Sequence, residues 1–128
     1  MKAARLVSAP WLALLALSAG CSNSTGPVAG TLDVSLSSPQ QDDGAVLLSI
    51  TGGPVDSVES RYTVYSASVS ADTLKLILIG SLVSGSIARI HISDSRQALR
   101  YIARIGQVAA RGTYGQRDPT RYAVRLQP

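Results

Sequence analysis

The chain has 128 residues, a formal net charge of +4 and 45% hydrophobic residues, with one cysteine, one histidine and no phenylalanine. A single cysteine excludes an internal disulfide. One cysteine and one histidine together are too few ligands for a zinc site. The length suits one domain, whose core must be built from aliphatic side chains and tyrosines.

The first 20 residues have the pattern of an export signal. Lys2 and Arg5 form a positive start, residues 6–19 are apolar, and the small residues Ser18-Ala19-Gly20 suit a signal peptidase. The apolar run has 14 residues, which is short for a membrane span of about 20 residues. We therefore predict that residues 1–20 are a signal peptide.

The only cysteine follows this segment directly, in the sequence Leu17-Ser18-Ala19-Gly20-Cys21. These residues resemble the lipobox of bacterial lipoproteins. The resemblance implies that the Cys21 thiol carries diacylglycerol, that residues 1–20 are removed and that the new N-terminus is acylated. It also implies a lipid-anchored protein of the cell envelope. Residue 22 is serine and not aspartate. In Gram-negative lipoproteins, this resemblance favours sorting to the outer membrane. The alternative is an ordinary secretory signal that happens to precede a cysteine.

Small and polar residues follow the cysteine and predict a flexible tether over residues 21–30. The nine residues after Cys21, 22–30, would have a root-mean-square reach of about 15 to 18 Å if flexible. The remaining residues, 31–128, are expected to form one domain near the lipid surface.

Strand-like alternation of apolar and polar residues begins at Thr31, with Leu32, Val34 and Leu36 on one side. Residues 55–69 suit one or two strands with a break near Glu59-Ser60. Residues 73–79 are apolar on nearly both faces, which favours a central strand covered on both sides. The predicted strands cover residues 31–37, 45–51, 55–69, 73–79, 86–93 and 122–126.

Residues 95–111 allow two interpretations. Asp94 suits a helix cap, and Leu99 and Ile102 begin a roughly helical spacing. A strand through Tyr101 and Ala103 fits equally, and we favour it because it would complete a sheet.

The rhythm of residues 31–36, the turn Asp42-Asp43-Gly44, residues 46–53 and a hairpin over residues 74–92 resembles cohesin-like and immunoglobulin-like modules of secreted bacterial proteins. The resemblance implies a mainly β fold, a single small antiparallel β-sandwich over residues 31–128. It transfers no binding residue.

No residue pattern indicates catalysis. His91 is the only imidazole and is expected on an exposed strand face, and Glu59 is the only glutamate, which excludes a glutamate pair. Asp42 and Asp43 suit a solvated turn; a contribution to a calcium site is the alternative. We predict no enzyme activity, no metal site and no cofactor.

Three arginines, Arg96, Arg100 and Arg104, recur every four residues and would share one face of a helix or of a strand. Such a face would suit anionic lipid, an acidic envelope polymer or an acidic partner. The alternative is a solvated face, or one neutralised by the acidic first half of the domain. Nucleic acid is not expected as a partner outside the cytoplasm.

The sequence therefore predicts a membrane-anchored, non-catalytic lipoprotein whose sandwich is an envelope interaction or structural module. Its partners would be the membrane, through the lipid, and an envelope protein. The alternative function is binding of an acidic polysaccharide or anionic lipid through the arginine face.

Overall fold

Two antiparallel sheets are formed by nine strands in residues 26–128, the part of the chain that the computed structural model describes. The predicted signal peptide and Cys21 lie outside the described residues. The strands are β1 (Gly30–Ser37), β2 (Asp43–Thr51), β3 (Ser57–Glu59), β4 (Thr63–Ser70), β5 (Thr73–Leu82), β6 (Gly85–Ile92), β7 (Ile102–Ala110), β8 (Gln116–Arg117) and β9 (Ala123–Gln127). Two short 3-10 helices, Ser95–Arg100 and Pro119–Arg121, precede β7 and β9.

The strand order is β3-β6-β1-β9 in the four-stranded sheet and β4-β5-β2-β7-β8 in the five-stranded sheet. Their inner faces pack together and form a small sandwich, so the predicted mainly β, antiparallel fold is confirmed. No helix among residues 26–128 is long and apolar enough to cross a membrane.

Alternating aliphatic residues fill the space between the sheets. Each strand contributes every second residue, because successive side chains point to opposite faces. The predicted inward residues of β1, β2 and β6 are all buried, and Tyr101 and Tyr122 are buried with them. The buried strand residues include Leu32, Val34, Leu36, Val46, Leu48, Ile50, Leu74, Leu76, Leu78, Ala88, Ile90 and Ile92.

The favoured strand over residues 95–111 is wrong in its first part. Asp94 caps the 3-10 helix Ser95–Arg100, its Oδ1 accepting a hydrogen bond of 3.1 Å from the backbone N–H of Arg96. The helix ends because Tyr101 is extended and buried, with its hydroxyl donating to the carbonyl of Pro54 at 2.6 Å. The strand β7 begins only at Ile102.

The predicted hairpin over residues 74–92 is also wrong. Strand β5 pairs with β2 and β4, whereas β6 pairs with β1 and β3, so the chain crosses between the sheets at residues 83–84. Leu82 and Ile87 are buried on either side of this crossing. Ser84 Oγ accepts a hydrogen bond from the Ser38 N–H at 2.9 Å and donates one to the Ser38 carbonyl at 3.2 Å. These bonds join the β5–β6 crossing to the crossing between β1 and β2.

Asp43 is wholly buried, so the prediction of a solvated turn is wrong for this residue. Its Oδ1 accepts from Arg117 Nη1 and from the Tyr122 hydroxyl, both at 2.7 Å, and its Oδ2 accepts from Ser38 Oγ at 2.5 Å. Donors thus replace the water that the carboxylate loses. Burial and the hydrogen bond to Asp43 raise the pKa of Tyr122.

Asp42 shares the same arginine but lies at the surface. Its Oδ1 is 2.8 Å from Arg117 Nη1, and this contact lowers the pKa of the Asp42 carboxyl. The two aspartates, Asp42 above all, raise the pKa of Arg117 above its usual value. The two adjacent acids, Asp42 just before β2 and Asp43 at its first position, therefore differ sharply in burial.

We expect Asp43→Ala to lower the free energy of unfolding by about 3 kcal/mol or more, because it leaves buried donors without their acceptor. Asp42→Ala is the matched control, and it should leave stability close to that of the parent because exposed pairs contribute little. Urea denaturation of the domain from Ser22 to Pro128 measures both. Equal effects of the two substitutions would contradict the structural role of Asp43.

Candidate interaction surface

The three arginines of the predicted basic face lie on two different elements. Arg96 and Arg100 belong to the 3-10 helix Ser95–Arg100, whereas Arg104 belongs to β7. A spacing of four residues gives a common face only within one regular element. The prediction that this spacing places the three arginines on one face is therefore wrong. The structure brings Arg104 onto the outer face of the five-stranded sheet and leaves the other two at the end of the sandwich.

Carboxylates accompany the arginines at the end of the sandwich. Arg96 Nε lies 3.0 Å from Asp94 Oδ1, a contact that lowers the pKa of Asp94 and raises that of Arg96. Burial, and then the charges of Asp56, Asp72 and Asp94, raise the pKa of Tyr101 close by. This end of the sandwich is therefore mixed in charge.

The 3-10 helix is also where the chain enters the domain, and we call this the tether end. The backbone N–H of Ser95 donates to the carbonyl of Val28 at 2.7 Å. Gly30 lies so close to the same serine that an added Cβ would meet its Cβ at 2.8 Å. Gly52 (φ +118°) makes a similar close approach to the backbone of Arg100 at the other end of the helix. Both ends of the helix are therefore fixed.

The outer face of the five-stranded sheet combines apolar side chains with two cations. Strand register places Arg104 beside Ser49 and Ser49 beside Lys75. Two strand spacings separate the Cα atoms of the two cations by about 10 Å. We name this surface the five-strand face and define it by Leu47, Tyr65, Lys75, Ile77, Ile102, Arg104 and, from the turn before β8, Tyr114.

Large apolar side chains of the five-strand face are exposed. The exposed fraction is 61% for Tyr65, 39% for Ile77, 50% for Ile102 and 53% for Tyr114. A shallow groove of about 210 Å³ runs between Leu47, Ile77 and Tyr114. In most sandwiches the outward-facing residues of each strand are polar, so the exposed apolar residues of this face depart from the usual pattern.

Acids are missing from this surface. Strands β4, β5, β7 and β8 contain no aspartate or glutamate, and the one acid of β2, Asp43, is buried. No carboxylate of residues 26–128 lies within ion-pair distance of Lys75 or Arg104. The five-strand face is therefore apolar and cationic.

The apolar segment 73–79 gave the signal for this face. The predicted position inside a sheet is confirmed, because β5 pairs with β4 on one edge and with β2 on the other. The predicted cover on both sides is wrong, because Leu74, Leu76 and Leu78 pack inward while Ile77 remains partly exposed. Lys75 was missed as a site residue because its neighbours indicated a buried strand.

The outer face of the four-stranded sheet is polar by contrast. Register places Arg89 between Asp33 and Glu59, so acids flank the base. Ser86 Oγ donates to Asp33 Oδ1 at 2.8 Å, and His91 Nε2 lies 3.1 Å from Glu59 Oε2. A broad groove of about 410 Å³ lies along this surface. Its acids and bases offset one another, which makes it an ordinary solvated face.

Residues 26–128 contain no group of three or more histidine, cysteine, aspartate or glutamate side chains that could hold a metal ion. Asp43 instead binds protein donors, and Asp42 lies against Arg117.

We expect opposite faces of β5 to respond differently to truncation. Leu76→Ala should lower the free energy of unfolding by about 2 to 5 kcal/mol, as for buried leucines, whereas Ile77→Ala should cost about 1 kcal/mol because part of its surface is already in water. Urea denaturation monitored by circular dichroism compares them. Equal losses would mean that Ile77 is covered in solution.

Comparison with known proteins gives no family for this chain. No family model matches it, and searches of curated proteins and of solved structures each returned no match. The features that bear on function are the residues around Cys21 and the five-strand face.

Proposed function

We propose that the protein is a lipid-anchored, non-catalytic module of the bacterial cell envelope, held at a membrane by diacylglycerol on Cys21. The lipobox-like sequence before Cys21 supports the anchor. Two or three acyl chains would hold the protein firmly, since each buried CH₂ contributes about 0.8 kcal/mol. The sandwich then serves as the part that contacts a partner.

The observation that carries this proposal is the uncovered five-strand face. Exposed apolar side chains that are grouped on one surface mark interaction sites in proteins more often than scattered ones do. Here they are grouped on one sheet together with Lys75 and Arg104, and without an acid. An interaction module accounts for this surface better than an inert spacer does.

The tether keeps this surface near the lipid. Val28 is held against the domain, because its carbonyl accepts a hydrogen bond from the backbone N–H of Ser95. Seven residue steps from Cys21 to Val28 extend at most about 25 Å, and their root-mean-square reach is about 13 to 16 Å. The domain would remain within roughly its own diameter of the membrane.

A second candidate function is binding of an acidic polysaccharide or an anionic lipid through basic residues. The acid-free pair Lys75 and Arg104 favours it. Arg96 and Arg100 contribute less than their spacing predicted, because Asp94 and its acidic neighbours share their end of the sandwich. The basic site of this candidate therefore centres on Arg104.

The anchor is tested by the mass and N-terminus of the mature protein. The parent should begin at Cys21 and carry the mass of a diacylglyceryl group and an added acyl chain, whereas Cys21→Ser should show neither. Ser22→Ala is the control and should be processed and lipidated like the parent. A parent protein with an unmodified Cys21, or with residues 1–20 retained, would contradict the proposal.

A further inference from the structure

We infer that the five-strand face lies flat against the anionic bilayer that holds the anchor, so that the domain has one fixed orientation on the membrane. This inference rests on the proposed function, since the lipid on Cys21 brings the domain to the surface. The occupant of the face is the headgroup region of anionic glycerophospholipids.

The apolar residues of the face suit the boundary between headgroups and acyl chains. Tyr65 and Tyr114 have an apolar ring and a polar hydroxyl, the combination that concentrates at membrane interfaces. Ile77 and Ile102 add exposed aliphatic surface. Leu99, which is 93% exposed, is a further apolar side chain in the 3-10 helix that precedes Ile102.

The cations make the face specific for anionic lipid. Lys75 and Arg104 stand on either side of Ser49, and strands β4, β5 and β7 offer no carboxylate to neutralise them. Phosphate groups of anionic lipids supply the missing negative charge. The long aliphatic side chains of Lys75 and Arg104 allow their charged groups to reach the lipid headgroups while the strands remain outside the headgroup layer.

A second copy of the chain fits the same face poorly. Isologous pairing would bring two lysines and two arginines together with no acid on either side. Like charges at close range oppose association. A bilayer covers the apolar residues and neutralises the cations at once.

The tether permits this orientation. Val28 is fastened to Ser95, in the segment that passes from β6 of the four-stranded sheet to β7 of the five-stranded sheet. The sheets are about 10 Å apart, whereas the extended tether spans at most about 25 Å. Cys21 can therefore lie at the bilayer beside the five-strand face.

Tryptophan fluorescence on the lipidated mature protein tests the orientation. The only tryptophan of the chain is Trp11, within the predicted signal peptide, so an introduced tryptophan is a unique reporter. Tyr65→Trp places it on the five-strand face, and Ile77→Trp is a second reporter if the first does not fold. Thr31→Trp is the matched control, because it is exposed on the opposite sheet and close to the tether.

Each variant is reconstituted into vesicles of phosphatidylglycerol with brominated phosphatidylcholine, and into vesicles of brominated phosphatidylcholine alone. We expect a blue shift and strong quenching for Tyr65→Trp in the anionic vesicles only, and little quenching for Thr31→Trp. Adding Lys75→Glu and Arg104→Glu to the Tyr65→Trp protein should abolish its quenching while the protein still sediments with the vesicles.

Four results would overturn the inference while leaving the anchor intact. The two reporters could be quenched equally, or the quenching could be the same in neutral and anionic vesicles. The blue shift could require an added acidic polysaccharide, or it could accompany a doubling of the molecular mass. Failure of the parent protein to sediment with any vesicle would instead show that the anchor is missing. Sedimentation thus tests the proposed function, and quenching tests the orientation.

Discussion

The buried carboxylate of Asp43 is the interaction on which the end of the sandwich opposite the tether depends. Its donors come from the crossing after β1, from β8 and from the residue before β9. A carboxylate without water is tolerated only where several donors surround it. Because these donors belong to separate chain segments, their hydrogen bonds determine how the crossing, β8 and β9 meet. A polar cluster thus joins the two sheets where the aliphatic core ends.

The two outer surfaces of the sandwich have opposite character. On the four-stranded sheet, Arg89 stands between Asp33 and Glu59, and hydroxyl groups complete a surface suited to water. On the five-stranded sheet, Ile77 and Tyr65 are exposed around Lys75. Both sheets use their inner residues for the same core, so this difference has no counterpart inside the domain. The contact with a membrane that we propose would explain it.

Alternation along the strands was enough to predict the inward residues, because Leu32, Val46 and Ile90 each lie in a period-two pattern that the core enforces. Alternation does not say which sheet a strand joins, which is why the sequence wrongly predicts that β5 and β6 form a hairpin. Asp42 and Asp43 have the same side chain and both contact Arg117. The burial of Asp43 and its hydrogen bond from the distant Tyr122 hydroxyl distinguish them. The spacing of Arg96, Arg100 and Arg104 gives no common face because the chain changes element at Tyr101. The apolar outward residues of 73–79 indicated a covered strand, because the sequence does not show that no other layer of this domain packs on that side.

The hydrogen bond between Ser95 and Val28 leaves only seven residue steps between the domain and Cys21. With Cys21 lipidated as proposed, a domain on so short a linker meets the surface at an effective concentration of about millimolar. A face that binds the membrane with a dissociation constant of about 1 mM in the unanchored domain would then be bound for a large share of the time. Weak, reversible contact is sufficient for such a protein, and selection need not favour a stronger one.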